Sequence, residues 1–196
     1  MTDEHDSTRR MLISALAGLT LAHVALPSAA DVRNNPKSSR ILVVYFSRSG
    51  NTRVIAGVIH RSLKTDLFEI EPANAYPEDY FQTVAQAKDE RDHRIRPPLK
   101  NGVASIERYQ TIYLGFPIWG TTIPPVVQTF LSTHNLRNQQ LMPFITHGGY
   151  GLGNSEDVLA ALTPGNTWER PLTLECDQER KTTEAVTSWL DTAQTR

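Results

Sequence analysis

Three short segments carry residue types able to hold a ligand: "SRSGNT" at residues 47–52, "GFPIWGTTIPP" at 115–125 and "THGGYGLGN" at 146–154. In the first, Ser47, Ser49, Asn51 and Thr52 surround Gly50, so short donors flank a residue free to curl around a group. A helix starting near Asn51 leaves main-chain N–H groups unpaired, and with the helix dipole these favour an anion. The segment has no lysine and lacks the GxxxxGK[ST] pattern of triphosphate loops, so a terminal phosphate monoester suits it better than a triphosphate with magnesium. Taken by itself it also reads as an ordinary N-capping loop. In the second segment, Pro117, Ile118, Trp119 and Gly120 place an indole on a turn, where a planar ligand can stack. In the third, Gly148, Gly149 and Gly151 flank Tyr150, and such a loop lets main-chain amides approach a ligand closely. Each aromatic taken singly reads as packing; the three segments together favour a phosphorylated planar ligand. His147 is the titratable residue of the third segment, and a hydrogen bond holding that loop is favoured over proton donation.

The elements that must position these loops alternate along the chain. "RILVVYF" at 40–46 is a continuous apolar run, as expected of a strand covered on both faces. "NTRVIAGVIHRSL" at 51–63 places Val54, Ile55, Val58, Ile59 and Leu63 on one helical stripe. "DLFEIEP" at 66–72 predicts a second strand, and the polar stretch at 76–94 a helix after Pro77. "TIYLGFP" at 111–117 predicts the third strand, and "PPVVQTFLSTH" at 124–134 a helix with proline in its first turn. "QLMPFITH" at 140–147 predicts the fourth strand, with Pro143 implying an irregular or edge-like entry. "NSEDVLAAL" at 154–162 predicts a helix capped by Asn154, "WERPLTLEC" at 168–176 a fifth strand, and "ERKTTEAVTSWL" a last helix with Val186, Trp189 and Leu190 on one face. This order predicts an α/β fold: a doubly wound, five-stranded parallel sheet with helices on both faces. Ligands of such sheets bind beyond the carboxyl ends of the strands, where all three segments lie.

Composition narrows the function. The chain has 196 residues, 39% of them hydrophobic, which suits one domain with a single core. A formal net charge of -1 argues against a nucleic-acid surface. Cys176 is the one cysteine, so no intrachain disulfide forms; it reads as a packed or half-exposed thiol. Residues 1–30 have the order of an export signal: Arg9 and Arg10, an apolar stretch from Met11 to Leu26, then Pro27 and the small residues Ser28, Ala29 and Ala30. The apolar stretch is short for a membrane span of about 20 residues and His23 interrupts it; the other reading is an uncleaved amphiphilic anchor, and the mature chain is expected to have no stable membrane insertion. The arginine pair resembles a twin-arginine signal, with Leu12 departing from the usual phenylalanine. Cleavage after Ala30 would release a chain beginning at Asp31 and would lower the basic count from 20 to 18 and the acidic count from 21 to 18. Residues 31–39 read as a linker and 40–196 as the domain, and periplasmic or other extracytoplasmic localisation follows.

"YFSRSGNT" resembles the phosphate loop of the flavodoxin-like FMN-binding proteins. "GFPIWGTTIPP" resembles the flavin-stacking loop of the family's short-chain and quinone-reductase-like members, and "FITHGGYGLGNS" its third flavin loop. The match covers roughly Arg40 to Leu190. The resemblance implies strand order 2-1-3-4-5 and noncovalent FMN. It also implies that Ser47, Ser49, Gly50, Asn51 and Thr52 hold the 5′-phosphate. Pro117, Ile118, Trp119 and Gly120 would then line the isoalloxazine, and Gly148, Gly149, Tyr150 and Gly151 would close its other side. Arg48 departs from the neutral residues usual in the first loop, and either points to solvent or offsets phosphate charge. Two function classes follow. One is a redox protein: an electron carrier, or an oxidoreductase acting on NAD(P)H, quinones or similar acceptors, with donor and acceptor open. The other is a flavodoxin-fold binding module without turnover. Intact loops favour the first, and a neutral mature domain lacks the acidic character of the family's dedicated carriers.

Overall fold

Strand β1, Ile41–Tyr45, runs through the middle of the sheet because it is apolar on both faces: Leu42, Val43, Val44 and Tyr45 are all buried. The structure is a computed structural model in which residues 40–175 and 179–194 are described. The remaining strands are β2 (Asp66–Glu69), β3 (Thr111–Pro117), β4 (Gln140–His147) and β5 (Leu172–Glu175). All pairings are parallel, in the order β2-β1-β3-β4-β5. This is the expected flavodoxin-like order, and its reversal beside β1 opens the crevice between the ends of β1 and β3.

Helices α1 (Asn51–Leu63) and α5 (Glu179–Gln194) cover one face, meeting Val43, Tyr45, Tyr113 and Phe144 of the sheet. Helices α3 (Pro125–Thr133) and α4 (Ser155–Leu162) pack on the other, against Leu42, Val44, Ile112, Leu114 and Phe116. Helix α2, Tyr80–Asp92, lies on the α3 side. Right-handed crossovers require this division of the helices.

Four local expectations need correction. The buried stripe of α1 is Thr52, Ile55, Ala56, Val58 and Ile59, whereas Val54 is exposed: the period places residues 52, 55, 56 and 59 on one face and turns 54 away from it. Asn154 precedes α4 but its side chain makes no capping bond. Strand β5 begins at Leu172, and Trp168 makes only an isolated bridge to Leu141. Pro143 lies in an interior strand, so its edge-like reading is wrong while the irregular one holds. Alternate residues of a parallel strand bond to opposite neighbours. Leu141 bonds on the β5 side, to Thr167 and Glu169, so residue 143 turns the same way. Pairing there is interrupted between Trp168 and Leu172, and a missing N–H costs no ladder bond. Cys176 and the signal and linker segments lie outside the described residues.

Candidate functional site

The first loop leaves the end of β1 at Phe46, whose N–H donates to the Gly115 carbonyl at 2.9 Å. Gly50 turns the chain with φ 96°, and its N–H donates to Ser47 Oγ at 3.2 Å. The first α1 bond runs from the Val54 N–H to the Gly50 carbonyl, at 3.0 Å. The N–H groups of Asn51, Thr52 and Arg53 have no partner among the described residues, and no side chain caps the helix. Three donors and the positive end of the helix dipole therefore meet at one point. A Cβ on Gly50 would meet nothing within 4 Å, so the space over the turn is open. The Thr52 hydroxyl is buried, lies 2.9 Å from Thr146 Oγ1 and ties α1 to β4, so what Thr52 offers the cleft is its main-chain N–H. Arg48 is exposed, and its guanidinium donates to the Pro77 and Glu78 carbonyls, fastening the loop to the approach to α2.

The second loop is a tight reversal. Trp119 and Thr122 exchange main-chain hydrogen bonds of 3.0 and 3.3 Å, while Gly120 and Thr121 both have positive φ, 55° and 69°. Two positive φ values at the centre mark a turn of type I′. Thr121 is β-branched, so this conformation is strained and must be held from outside. The third loop holds it: the Asn154 N–H donates to the Thr121 carbonyl at 3.0 Å, and Gly153 lies so close that a Cβ there would stand 1.9 Å from that oxygen. The rings of Phe46 and Tyr76 meet the Trp119 indole edge-on, at centroid distances of 5.2 and 4.9 Å. The Tyr76 hydroxyl donates to buried Glu90 at 2.8 Å, and Gln86 donates to the other carboxyl oxygen of Glu90 at 2.8 Å. Burial, and then this hydrogen bond, push the Tyr76 phenol well above its ordinary value of 10.0.

In the third loop the Gly149 N–H donates to His147 Nδ1 at 3.1 Å, the loop-holding bond expected of His147. Tyr150 is 87% exposed.

These parts enclose a cleft of about 380 Å³. The first loop contributes Ser47, Arg48, Ser49, Asn51 and Thr52, the second Pro117, Ile118, Trp119 and Gly120, and β4 with the third loop Thr146, His147 and Gly148. Gly50, Gly149, Tyr150 and Gly151 do not line it. A fourth wall, absent from the sequence reading, comes from α2: Tyr80, Thr83, Val84, Ala87 and Arg91. Their spacing is helical and could have been read as a stripe, but it mixes apolar, hydroxyl and cationic residues and so does not stand out. Among the described residues, no cluster of His, Cys, Asp and Glu could hold a metal.

The sequence profile of the flavodoxin family matches residues 40–193. The chain belongs to the flavodoxin family. Solved structures agree with this family assignment. A flavoprotein from Bacteroides eggerthii is 32% identical, covers 79% of this chain and 97% of its own, and superposes with a TM-score of 0.68. One from Bacteroides uniformis is 28% identical over 77% of this chain and 99% of its own, with a TM-score of 0.67. A flavoprotein from Lactobacillus acidophilus, solved in complex with FMN, shares the fold at 20% identity and a TM-score of 0.61, over 74% of this chain and 99% of its own. No curated protein sequence matches the chain. FMN is the flavodoxin cofactor, and the cleft of this member fits it: unpaired amides at the start of α1 suit a phosphate, and a half-buried indole with a main-chain-rich turn suits a flat ring.

Proposed function

We propose that this flavodoxin-family protein is an FMN-dependent redox protein that works outside the cytoplasm. The observation that carries the reading is the convergence of the unpaired α1 amides, Trp119 and the His147 loop on one cleft. Bound there, FMN supplies one- and two-electron chemistry that the side chains do not offer. Ser47, Ser49, Asn51 and the N–H groups at the start of α1 hold the phosphate, while Pro117, Ile118 and Trp119 give the ring an apolar wall. Gly148 lets the main chain close in from β4, and His147 fixes that loop through Gly149.

The cleft lining contains no carboxylic acid, so simple electron exchange with an external partner needs no acid–base step from α2 or the loops. Exposed Tyr80 and Val84 on the α2 wall leave an apolar approach to the cleft for a small acceptor such as a quinone. This favours an oxidoreductase over a dedicated carrier. An anaerobic titration of the FMN-loaded protein with NADH and NADPH, followed by quinone, tests the reading. Bleaching of the flavin band by a nicotinamide and its return on adding quinone are expected. A flavin that no reductant, dithionite included, can bleach and reoxidise would instead identify a binding module without turnover.

A further inference from the structure

Arg91 is the side chain of the cleft that the three loops leave unexplained. It lies at the last turn of α2, beside Gly120 of the Trp119 turn. A Cβ built on Gly120 would stand 2.6 Å from the Arg91 guanidinium carbon and 2.6 to 2.8 Å from its terminal nitrogens. The fork therefore lies directly over the open side of Gly120 and lines the cleft. Among the described residues its side chain makes one hydrogen bond, from Nη1 to the Ala87 carbonyl at 3.0 Å, so most of its five N–H donors have no partner there.

Among the described residues Arg91 makes no ion pair within 4.0 Å, although, behind the Lys88 hydrogen bond, its charge helps to hold the adjacent Asp92 carboxyl below its ordinary value. Elsewhere among the described residues, Lys88 pairs with Asp92, Arg53 with Glu69 and Lys100 with Glu71, and Arg48 donates to the carbonyls of Pro77 and Glu78. The neighbouring Glu90 is bonded to Tyr76 and Gln86. No Asp or Glu lines the cleft. The cleft thus holds the Arg91 charge beside the Trp119 turn.

We propose that Arg91 sets the redox bias of the site by attracting the negative charge that reduction places on the FMN ring. This rests on the FMN reading above. Two electrons and one proton, taken from an external two-electron donor, convert oxidised FMN to its anionic reduced form, so the ring gains one negative charge. A half-buried guanidinium lining the cleft favours the charged form over the neutral one. Gly120 serves this arrangement twice: it accepts φ 55°, and its missing side chain leaves room for the fork. Arg91 acts on the cofactor's charge and moves the protein toward two-electron exchange with acceptors of moderate potential.

The test is the two-electron midpoint potential of the FMN-loaded full chain, read by anaerobic dithionite titration against a reference dye, together with the affinity for oxidised FMN. In Arg91→Gln and Arg91→Met the affinity for reduced FMN relative to oxidised FMN should fall about tenfold against the parent, which for a two-electron couple lowers the midpoint by about 30 mV. Arg91→Lys keeps the charge and should stay near the parent value. An unchanged midpoint in both neutral variants overturns the proposal, as does an equal drop in Arg91→Lys or the loss of oxidised FMN from either neutral variant. Failure of the parent protein to bind FMN at all would be seen before any variant is made, and would strike the cofactor reading instead.

Discussion

Trp119 owes its place to neighbours distant in the chain. Phe46 and Tyr76 meet it edge-on, and Gly120 and Thr121 turn the main chain behind it. Trp119→Ala should weaken FMN binding and abolish the quenching of tryptophan fluorescence on titration, with Trp168 and Trp189 as internal controls. Unchanged affinity would reassign the indole to packing. Tyr76 supports the same ring, and its raised phenol makes a pH prediction. A raised folded value means that the folded state holds the proton more tightly than the unfolded chain does. The resulting stability is complete below the ordinary value of 10.0 and is lost as pH rises above it. Alkaline unfolding followed by tyrosinate absorbance should therefore begin above about pH 10. Tyr76→Phe removes a donor from buried Glu90 and should cost about 1–3 kcal/mol at neutral pH. The indole was legible in the sequence because it sits on a turn after an apolar run. Tyr76 and Arg91 were not, because what they touch depends on the path of α2 across the sheet.

Among the elements, β3 and β4 set contrasting tolerances that substitution can separate. Gly115 of β3 pairs with Phe144 of β4, and a Cβ on Gly115 would stand 2.1 Å from the Phe144 ring. Gly115→Ala should lower stability by about 1–3 kcal/mol through overpacking, read as a drop in urea midpoint with unchanged slope. Pro143→Ala should change stability by less than about 1 kcal/mol, because the ladder is already interrupted where its N–H would point. Gly153→Ala combines a forbidden contact with φ 56° and should cost on the order of 2 kcal/mol or more while weakening FMN binding, since Gly153 braces the Thr121 turn. The limits of β3 and β4 were readable because both are clear apolar runs, whereas the strand order followed from the resemblance of the three loops to flavodoxin-like proteins. The interior place of Pro143 was not, because local sequence records a missing donor but not which neighbour it faces. The wall formed by α2 was hidden for a related reason: its inward stripe faces a cleft rather than a core and so carries polar residues.

For the whole molecule, two claims rest on separate residues. Residues 9 and 10 bear the export proposal, and the cleft bears the cofactor. A twin-arginine route carries folded proteins, which suits a phosphate nest that exists only once β1 and α1 are joined. Replacing Arg9 and Arg10 by Lys should leave uncleaved holo-protein inside the cell. A mature chain starting near Asp31 outside the cytoplasm would contradict that route and leave the site untouched.

The cleft is tested most directly by titrating the FMN-free protein with FMN and with riboflavin under the same conditions, following tryptophan quenching and heat. The two ligands differ by the phosphate, so their affinity ratio reads the donors at the start of α1. Two charge-assisted hydrogen bonds contribute roughly 3 kcal/mol or more, so FMN should bind at least about 100-fold more tightly than riboflavin. Equal affinity for the two, or binding of neither, would contradict the account.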